Sequence, residues 1–169
     1  VVWGVNPLYS NSVKGGAGFL HAVDRGAKVI VVDPKCTPTT EYAQLHLRPI
    51  PGTDGALALG MARVIITENL HDCEYIEKYT EDFEGFKEHV KKYILDDVEE
   101  KTGISKGRVL ELAQIIHNGK RVSLWWTMGV NQGYQAVRTA QGIINLALMT
   151  GNIGRPGTGA NSITGQCNA

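Results

Sequence analysis

The sequence predicts an α/β fold with a doubly wound, mainly parallel sheet, and three observations predict it. Short runs of β-branched, aliphatic or aromatic residues at positions 1–5, 28–33 and 121–126 have the composition of buried strands. Segments with apolar residues on helical spacing lie between them, so that strand, helix and strand recur within the roughly thirty residues of a βαβ unit. The strand runs also end in polar, Gly- or Pro-containing loops. In an open parallel sheet such loops gather at the carboxyl edge, where ligands bind, and the pattern is that of a Rossmann-like, dinucleotide-binding domain.

Taken in order, Val1-Val2-Trp3 closes a buried strand and Gly4-Val5-Asn6-Pro7 forms a tight turn. Residues 12–25 read as a helix whose start at Gly15-Gly16-Ala17-Gly18 is weak, because glycine is a poor helix former; Gly26 fits its C-cap. Residues 28–33 are the clearest strand, a continuous β-branched run bounded by Gly and Pro. Residues 34–38 are loop, and 42–49, with Leu45 and Leu47 in alternation, a short strand. The turn Pro51-Gly52-Thr53-Asp54-Gly55 opens a helix over 56–68, with Thr53 or Asp54 as N-cap and Leu57, Met61, Val64 and Ile65 on helical spacing. Residues 72–108 are helical, and the charge-rich part of that stretch is a solvated surface. Residues 105–116 form a further helix with Val109, Leu112, Ala113 and Ile116 on one face. In the strand 121–126, Trp125 and Trp126 read as core rather than as a stacking platform, and an apolar helix over 136–150 is closed by Gly151. The tail 152–169, rich in Gly, Asn, Ser and Thr, reads as irregular. The expected organisation is one α/β domain over 1–151 and an irregular segment, 152–169, leading into a further domain that this chain lacks.

Composition narrows the function classes. The chain has 169 residues, enough for one domain with its own core. Its 17 basic and 17 acidic residues balance, which argues against a nucleic-acid partner and a polybasic membrane patch. No apolar run has the length of a membrane span, and no direct membrane contact is expected. Cys36, Cys73 and Cys167 lack a Cys-x-x-Cys pair, so a local zinc or iron–sulfur motif is excluded and buried free thiols are expected. The histidines, His21, His46, His71, His89 and His117, show no metal-ligand spacing, and no metal ligand is assigned. No Ser/His/Asp arrangement is legible. No leader peptide is visible; the compartment stays open, with the cytoplasm favoured and the periplasm allowed.

Candidate binding residues sit in loops that follow the strands. Gly4 lets the backbone approach a ligand and Asn6 offers both donor and acceptor; a plain strand-to-helix turn is the competing reading. The nicotinamide fingerprint Gly-x-Gly-x-x-Gly is missing there. Asp33 stands where an acid bonds ribose hydroxyls in dinucleotide folds, or else caps the Pro34-Lys35 turn. Lys35 is a phosphate counter-charge or a solvated side chain. Asp54 can accept from guanine N1–H and its exocyclic amine together, or cap the following helix. Met128-Gly129 and Gln132 form the last of these loops.

Six motifs in order resemble the molybdopterin oxidoreductases of the dimethyl-sulfoxide-reductase family. They are Trp3-Gly4-x-Asn6-Pro7, then Val31-Val32-Asp33-Pro34, then Pro51-Gly52-Thr53-Asp54-Gly55-Ala56-Leu57, then Met128-Gly129-Val130-Asn131-Gln132. Asn145-Leu146-x-x-x-Thr150-Gly151-Asn152-Ile153-Gly154-x-Pro156-Gly157-x-Gly159 and Gly165-Gln166-x-Asn168 complete the series. Each is weak alone; together, across nearly the whole chain, they are specific. The resemblance implies that the segment from Trp3 to Ser10, with Pro7 in it, wraps the guanosine diphosphate end of a molybdopterin guanine dinucleotide. It implies that Asp33, Pro34 and Lys35 meet the nucleotide sugar or phosphates, and that Gly52, Thr53 and Asp54 bind guanine. Met128, Gly129 and Gln132 would lie against pyrophosphate and pterin, and Gln166, the one catalytic candidate, would approach the metal pocket.

For the full-length enzyme the resemblance implies a bis-molybdopterin guanine dinucleotide cofactor with molybdenum or tungsten, and a 4Fe-4S cluster outside this chain. The implied partners are the remaining domains of the same polypeptide and an electron-transfer subunit or domain. The chain by itself is expected to be inactive, because the metal-ligating residue and the other cofactor-binding domains lie elsewhere. Many formate dehydrogenases of the family carry Arg two residues before the Gln; Thr164-Gly165-Gln166 instead resembles nitrate reductases, as does Trp126-Thr127-Met128-Gly129-x-Asn131-Gln132. Nitrate reductase is therefore the favoured reading and formate dehydrogenase its alternative. A reading of another class is a molybdenum-free structural or electron-transfer subunit of NADH dehydrogenase type, which shares the fold; Asp54 together with residues 128–132 favours the molybdenum enzyme.

Overall fold

A computed structural model describes residues 1–10 and 15–163. The strands are β1 (Val2–Trp3), β2 (Val29–Val32), β3 (Ala43–Leu47), β4 (Ser123–Trp126) and β5 (Gly159–Ser162). They form one sheet in the order β3-β2-β1-β4-β5, with every neighbouring pair parallel. The three runs expected to be adjacent parallel strands are so: Val2 is in register with Val31 on one side and with Trp125 on the other. The strand order reverses direction at β1, so the topological switch point, where an open sheet leaves a crevice, lies between β1 and β4.

Parallel neighbours need crossover connections; a 3-10 helix, Pro38–Tyr42, lies between β2 and β3, and α-helices lie between the other successive strands. They are α1 (Pro7–Ser10), α2 (Ala17–Asp24), α3 (Asp54–Thr67), α4 (Cys73–Tyr79), α5 (Phe83–Val90), α6 (Leu95–Thr102), α7 (Lys106–Asn118), α8 (Met128–Asn131) and α9 (Ala136–Met149). The two-residue period of a strand divides the buried β-branched runs between the two faces. Trp3, Ile30, Val32, Leu45, Leu47, Leu124 and Trp126 join the larger core, with residues from α3, α7 and α9. Val2, Val29 and Val31 face the other way, onto Phe19, Leu20 and Val23 of α2, with Trp125 at the margin. Both tryptophans of β4 are thus packing residues, as the sequence predicts.

The helix α3 is enclosed by its neighbours, and Leu57, Ala58, Met61 and Ile65 are buried along it. Small residues set how closely those neighbours approach. A methyl group at Gly142 of α9 would stand 2.9 Å from the Cβ of Ala58, and one at Gly60 would stand 2.7 Å from Val98 Cγ2 of α6. The charged middle of the chain is three short helices, α4 to α6, each with few buried side chains, Ile76, Val90, Val98 and Thr102.

The structure departs from the sequence reading in two places. Residues 159–162 form the edge strand β5, although the whole tail was expected to be irregular. Gly-Ala-Asn-Ser carries no apolar alternation; its pairing comes from the open edge of β4, extended by Ile163 N–H donating to Trp126 O at 2.7 Å. The second helix is α-helical from Ala17, with residues 15 and 16 in a π turn before it, and its expected start at residue 12 lies outside the described residues. Cys36 and Cys73 are exposed, not buried, because each sits in a loop or at a helix start on the surface; Cys167 lies outside the described residues.

The tight α3–α9 crossing yields a stability prediction. Gly142→Val inserts branched volume where only a hydrogen now fits, and overpacking of this kind costs about 1–3 kcal/mol. The expected result is a lower urea midpoint at unchanged slope; a midpoint equal to that of the parent protein would contradict the packing argument.

Candidate functional site

The loops that follow β1, β2, β3 and β4 gather at the carboxyl edge of the sheet, and the β1 segment touches all the others. Three contacts do this. Trp3 Nε1–H donates to Asp54 Oδ1 at 2.7 Å, which ties β1 to the start of α3. The Thr39 hydroxyl, wholly buried, donates to Asn6 Oδ1 at 2.6 Å, which ties the β1 loop to the β2 loop. Gly129 N–H donates to Gly4 O at 3.2 Å, which ties it to the β4 loop.

The last contact requires glycine on both sides. Gly4 has φ +58°, a left-handed conformation that other L-residues rarely adopt. A methyl at Gly129 would lie 2.6 Å from Gly4 O and 2.8 Å from Gly4 Cα, inside any tolerable backbone contact. Past Asn6, Pro7 opens α1 at the first helical position, where its missing N–H is no loss. Ser10, at the end of that turn, is exposed.

In the β2 loop the Asp33 carboxylate accepts from Lys35 N–H at 2.8 Å, so the acid does shape the Pro34-Lys35 turn. Only Oδ1 is used, and Oδ2 has no partner among the described residues. His46 Nε2 approaches Asp33 O at 2.8 Å, and Arg48 Nε–H donates to Pro34 O at 3.1 Å; β3 thereby steadies this turn. Pro34 and Lys35 are exposed. The Thr37 hydroxyl is buried without a hydrogen-bond partner.

In the β3 loop Gly52 is exposed at φ +87°, with open space where a Cβ would stand. Thr53 precedes α3, yet its hydroxyl donates to Ile50 O at 2.6 Å and does not cap the helix. Asp54 is the first residue of α3, and its carboxylate bonds Trp3 instead of a helix N–H. The capping alternative for Asp54 therefore falls away. Its negative charge remains favourable in the first turn, against the positive end of the helix dipole.

In the β4 loop Met128 is 40% exposed and Gln132 is exposed, both beside Gly129. Sequence reasoning gave no separate role to Asn131, whose Oδ1 accepts from Trp126 Nε1–H at 3.0 Å and whose Nδ2–H donates to Ser162 at 3.0 Å. It braces the loop against β4 and β5. Thr39 was also missed; its only sequence signal is a threonine cluster around Pro38. Trp3, an expected contact residue, has no exposed surface at all. Gln166, with Thr164 and Gly165, lies outside the described residues. Among those described, no cluster of three or more His, Cys, Asp or Glu residues has the arrangement of a metal site, and no helix is long and apolar enough to cross a membrane.

The arrangement can present an oriented carboxylate, an amide and several backbone groups to a polar ligand at the carboxyl edge of the sheet. One contact is directly testable. Asp54→Ala strands the Trp3 N–H in the core, at about 1–3 kcal/mol, whereas Asp54→Asn keeps an acceptor oxygen and is expected to cost much less. Thermal unfolding of the two variants side by side checks this, and equal losses would contradict it.

Comparison with known proteins agrees with this geometry. The family model for molybdopterin oxidoreductase matches residues 1–169. The alpha subunit of an F420-dependent formate dehydrogenase from Methanocaldococcus jannaschii is 44% identical over 150 residues, covering 89% of this chain and 22% of that protein. Formate dehydrogenase H of Escherichia coli is 36% identical over 99% of this chain and 23% of its own length. A nitrate reductase from Synechocystis is 41% identical over 88% of this chain and 21% of its own length. Among solved structures, acetylene hydratase from Pelobacter acetylenicus superposes with a TM-score of 0.86 at 31% identity, covering 92% of this chain and 22% of that one. The chain thus spans about a fifth of the length of these relatives. With the family model matched from end to end and the sheet order and ligand-edge loops in place, the chain belongs to the molybdopterin oxidoreductase family.

Proposed function

We propose that this chain is the unit that holds one molybdopterin guanine dinucleotide in a larger molybdenum- or tungsten-dependent oxidoreductase. The observation that carries the reading is the Asp54 carboxylate at the carboxyl edge of the sheet, bonded on one oxygen by Trp3 and without a partner on the other among the described residues. The residues present fit such a group. Asn6 has its oxygen engaged by Thr39 and its amide nitrogen unengaged among the described residues. The Thr37 hydroxyl is a buried polar atom in want of a partner. Exposed apolar side chains on the same loops, Tyr9 at 81% and Met128 at 40%, suit a surface that a ligand or further chain covers.

In this reading Asp54, with Gly52 and Thr53, takes the guanine edge, since a carboxylate accepts from two adjacent donors. Asn6, Asp33 and Lys35 serve the sugar and phosphates, with Gly4, Pro7 and Ser10 shaping the same wall. Met128, Gly129 and Gln132 would meet the pterin, and Gln166, outside the described residues, would serve the metal pocket by the family resemblance alone. When bound, the metal supplies two-electron redox or oxygen-atom chemistry. The chain's own residues bind and orient; they do not carry the reaction. Relatives bearing this unit are named formate dehydrogenase, nitrate reductase and acetylene hydratase, which supports holding rather than substrate choice as its task.

The substrate of the whole enzyme has two readings on equal footing. Thr164-Gly165-Gln166 favours nitrate reduction. The 44% identity to a formate dehydrogenase alpha subunit, beside 41% to a nitrate reductase, favours formate oxidation as strongly. A 4Fe-4S cluster and an electron-transfer subunit or domain, both outside this chain, complete the proposed enzyme. Viologen assays of the full-length protein, with nitrate and reduced dye or with formate and oxidised dye, separate the two.

The guanine reading has its own test. Disrupting a carboxylate that pairs two ligand donors in a closed site costs roughly 2–5 kcal/mol, because an amide nitrogen in place of one oxygen leaves a ligand donor unpaired. Asp54→Asn in the full-length enzyme is expected to lower the guanine nucleotide of the purified protein toward half, the share held by this unit in a bis-cofactor enzyme, while leaving the melting temperature of the cofactor-free protein nearly unchanged. Full guanine content in that variant would refute the assignment.

A further inference from the structure

We propose that Trp3 is a positioning residue that sets the guanine preference of Asp54 without touching the nucleotide; the inference rests on the guanine reading of Asp54. Trp3 is 0% exposed, so its ring has no surface to offer a ligand. Its one polar atom is directed at the start of α3, donating to Asp54 Oδ1 at 2.7 Å. An ionised carboxylate only accepts, and the indole N–H, which only donates, fixes its orientation. The donor itself is held firmly: Trp3 lies on the central strand, in register with Val32 on one side and Trp126 on the other.

The consequence is chemical discrimination. A carboxylate has roughly four acceptor positions, of which Trp3 occupies one. Among the described residues nothing else bonds the group, which leaves Oδ2 and part of Oδ1 for a ligand. Guanine presents two neighbouring donors, N1–H and the 2-amino group. Adenine presents an acceptor, N1, beside its 6-amino donor. A carboxylate held in one orientation accepts from both guanine donors and sets a lone pair against adenine N1. A carboxylate free to rotate loses that alignment and must be ordered when the nucleotide arrives. Trp3 does the ordering in advance.

The test uses the full-length enzyme in parent form and as Trp3→Phe, Asp54→Asn and the double variant. Guanine nucleotide retained per folded polypeptide is measured in the cofactor-loaded proteins, and binding of GDP and ADP in proteins produced without cofactor. Trp3→Phe is expected to weaken GDP about tenfold, the equivalent of one charge-assisted hydrogen bond, and to leave ADP unchanged. Added to Asp54→Asn it is expected to produce no further loss, since its effect passes through that carboxylate. Replacement of Trp3 by benzothienylalanine, which keeps the two-ring shape with sulfur in place of N–H, is expected to reproduce the loss and serves if Trp3→Phe does not fold. Equal weakening of GDP and ADP, additive losses in the double variant, or full guanine retention without the N–H would each overturn the proposal. If free nucleotides do not bind, guanine retention across the four loaded proteins decides it. If Asp54→Asn alone retains guanine, the guanine reading fails and the proposal falls with it; if only the Trp3 variants retain it, the guanine reading stands and the role of Trp3 does not.

Discussion

The two residues of β1 are paired on both sides, and that double pairing fixes everything built at the ligand edge. A strand in the middle of a parallel sheet cannot slide without breaking both ladders and turning its apolar set to the wrong face. Its continuation, residues 4–6, inherits that fixity. From there Trp3 reaches α3, Asn6 reaches the β2 loop, and Gly4 meets the β4 loop. Loops are usually the mobile part of a fold. Here those at the ligand edge are referenced to backbone that is paired on both sides.

Much of the fold was legible because burial leaves a strong signature. Val29–Val32 is β-branched throughout, and both faces of such a strand are covered, so composition alone identifies it. The helix α9 declares itself by the spacing of Ile143, Leu146 and Ala147 and by Gly151 after its end. The edge strand β5 left no such mark. Its residues are small or polar, and what makes it a strand is the free side of β4 rather than any preference of its own. Propensity is a local quantity, and an edge supplied by a distant segment is not visible in it.

At the site, the loops were legible and the wiring between them was not. Turn chemistry at Gly4-Val5-Asn6-Pro7 and at Pro51-Gly52-Thr53-Asp54 marks where the chain leaves the sheet. Nothing in the sequence says that Asn6 meets Thr39, 33 positions on, or that Trp3 meets Asp54, 51 positions on. Asp54 shows how this matters. From local pattern a helix cap and a ligand contact are indistinguishable, and only the long-range bond to a buried indole separates them. The exposed thiols of Cys36 and Cys73 teach the same lesson from the other side: residue type predicts burial on average, while position in a loop decides it.

The meeting of Gly4 and Gly129 acts as a calliper. Its jaws are two peptide planes in direct contact, so the gap between the loops is set by the thickness of the main chain and not by any rotamer. Such a gauge has no side-chain entropy to lose and no conformers to sample. Lining residues elsewhere on these loops, such as Met128 or Gln132, can then be exchanged to alter what the crevice recognises while its width stays the same. Recognition and dimension are in this way assigned to different atoms of the same loops.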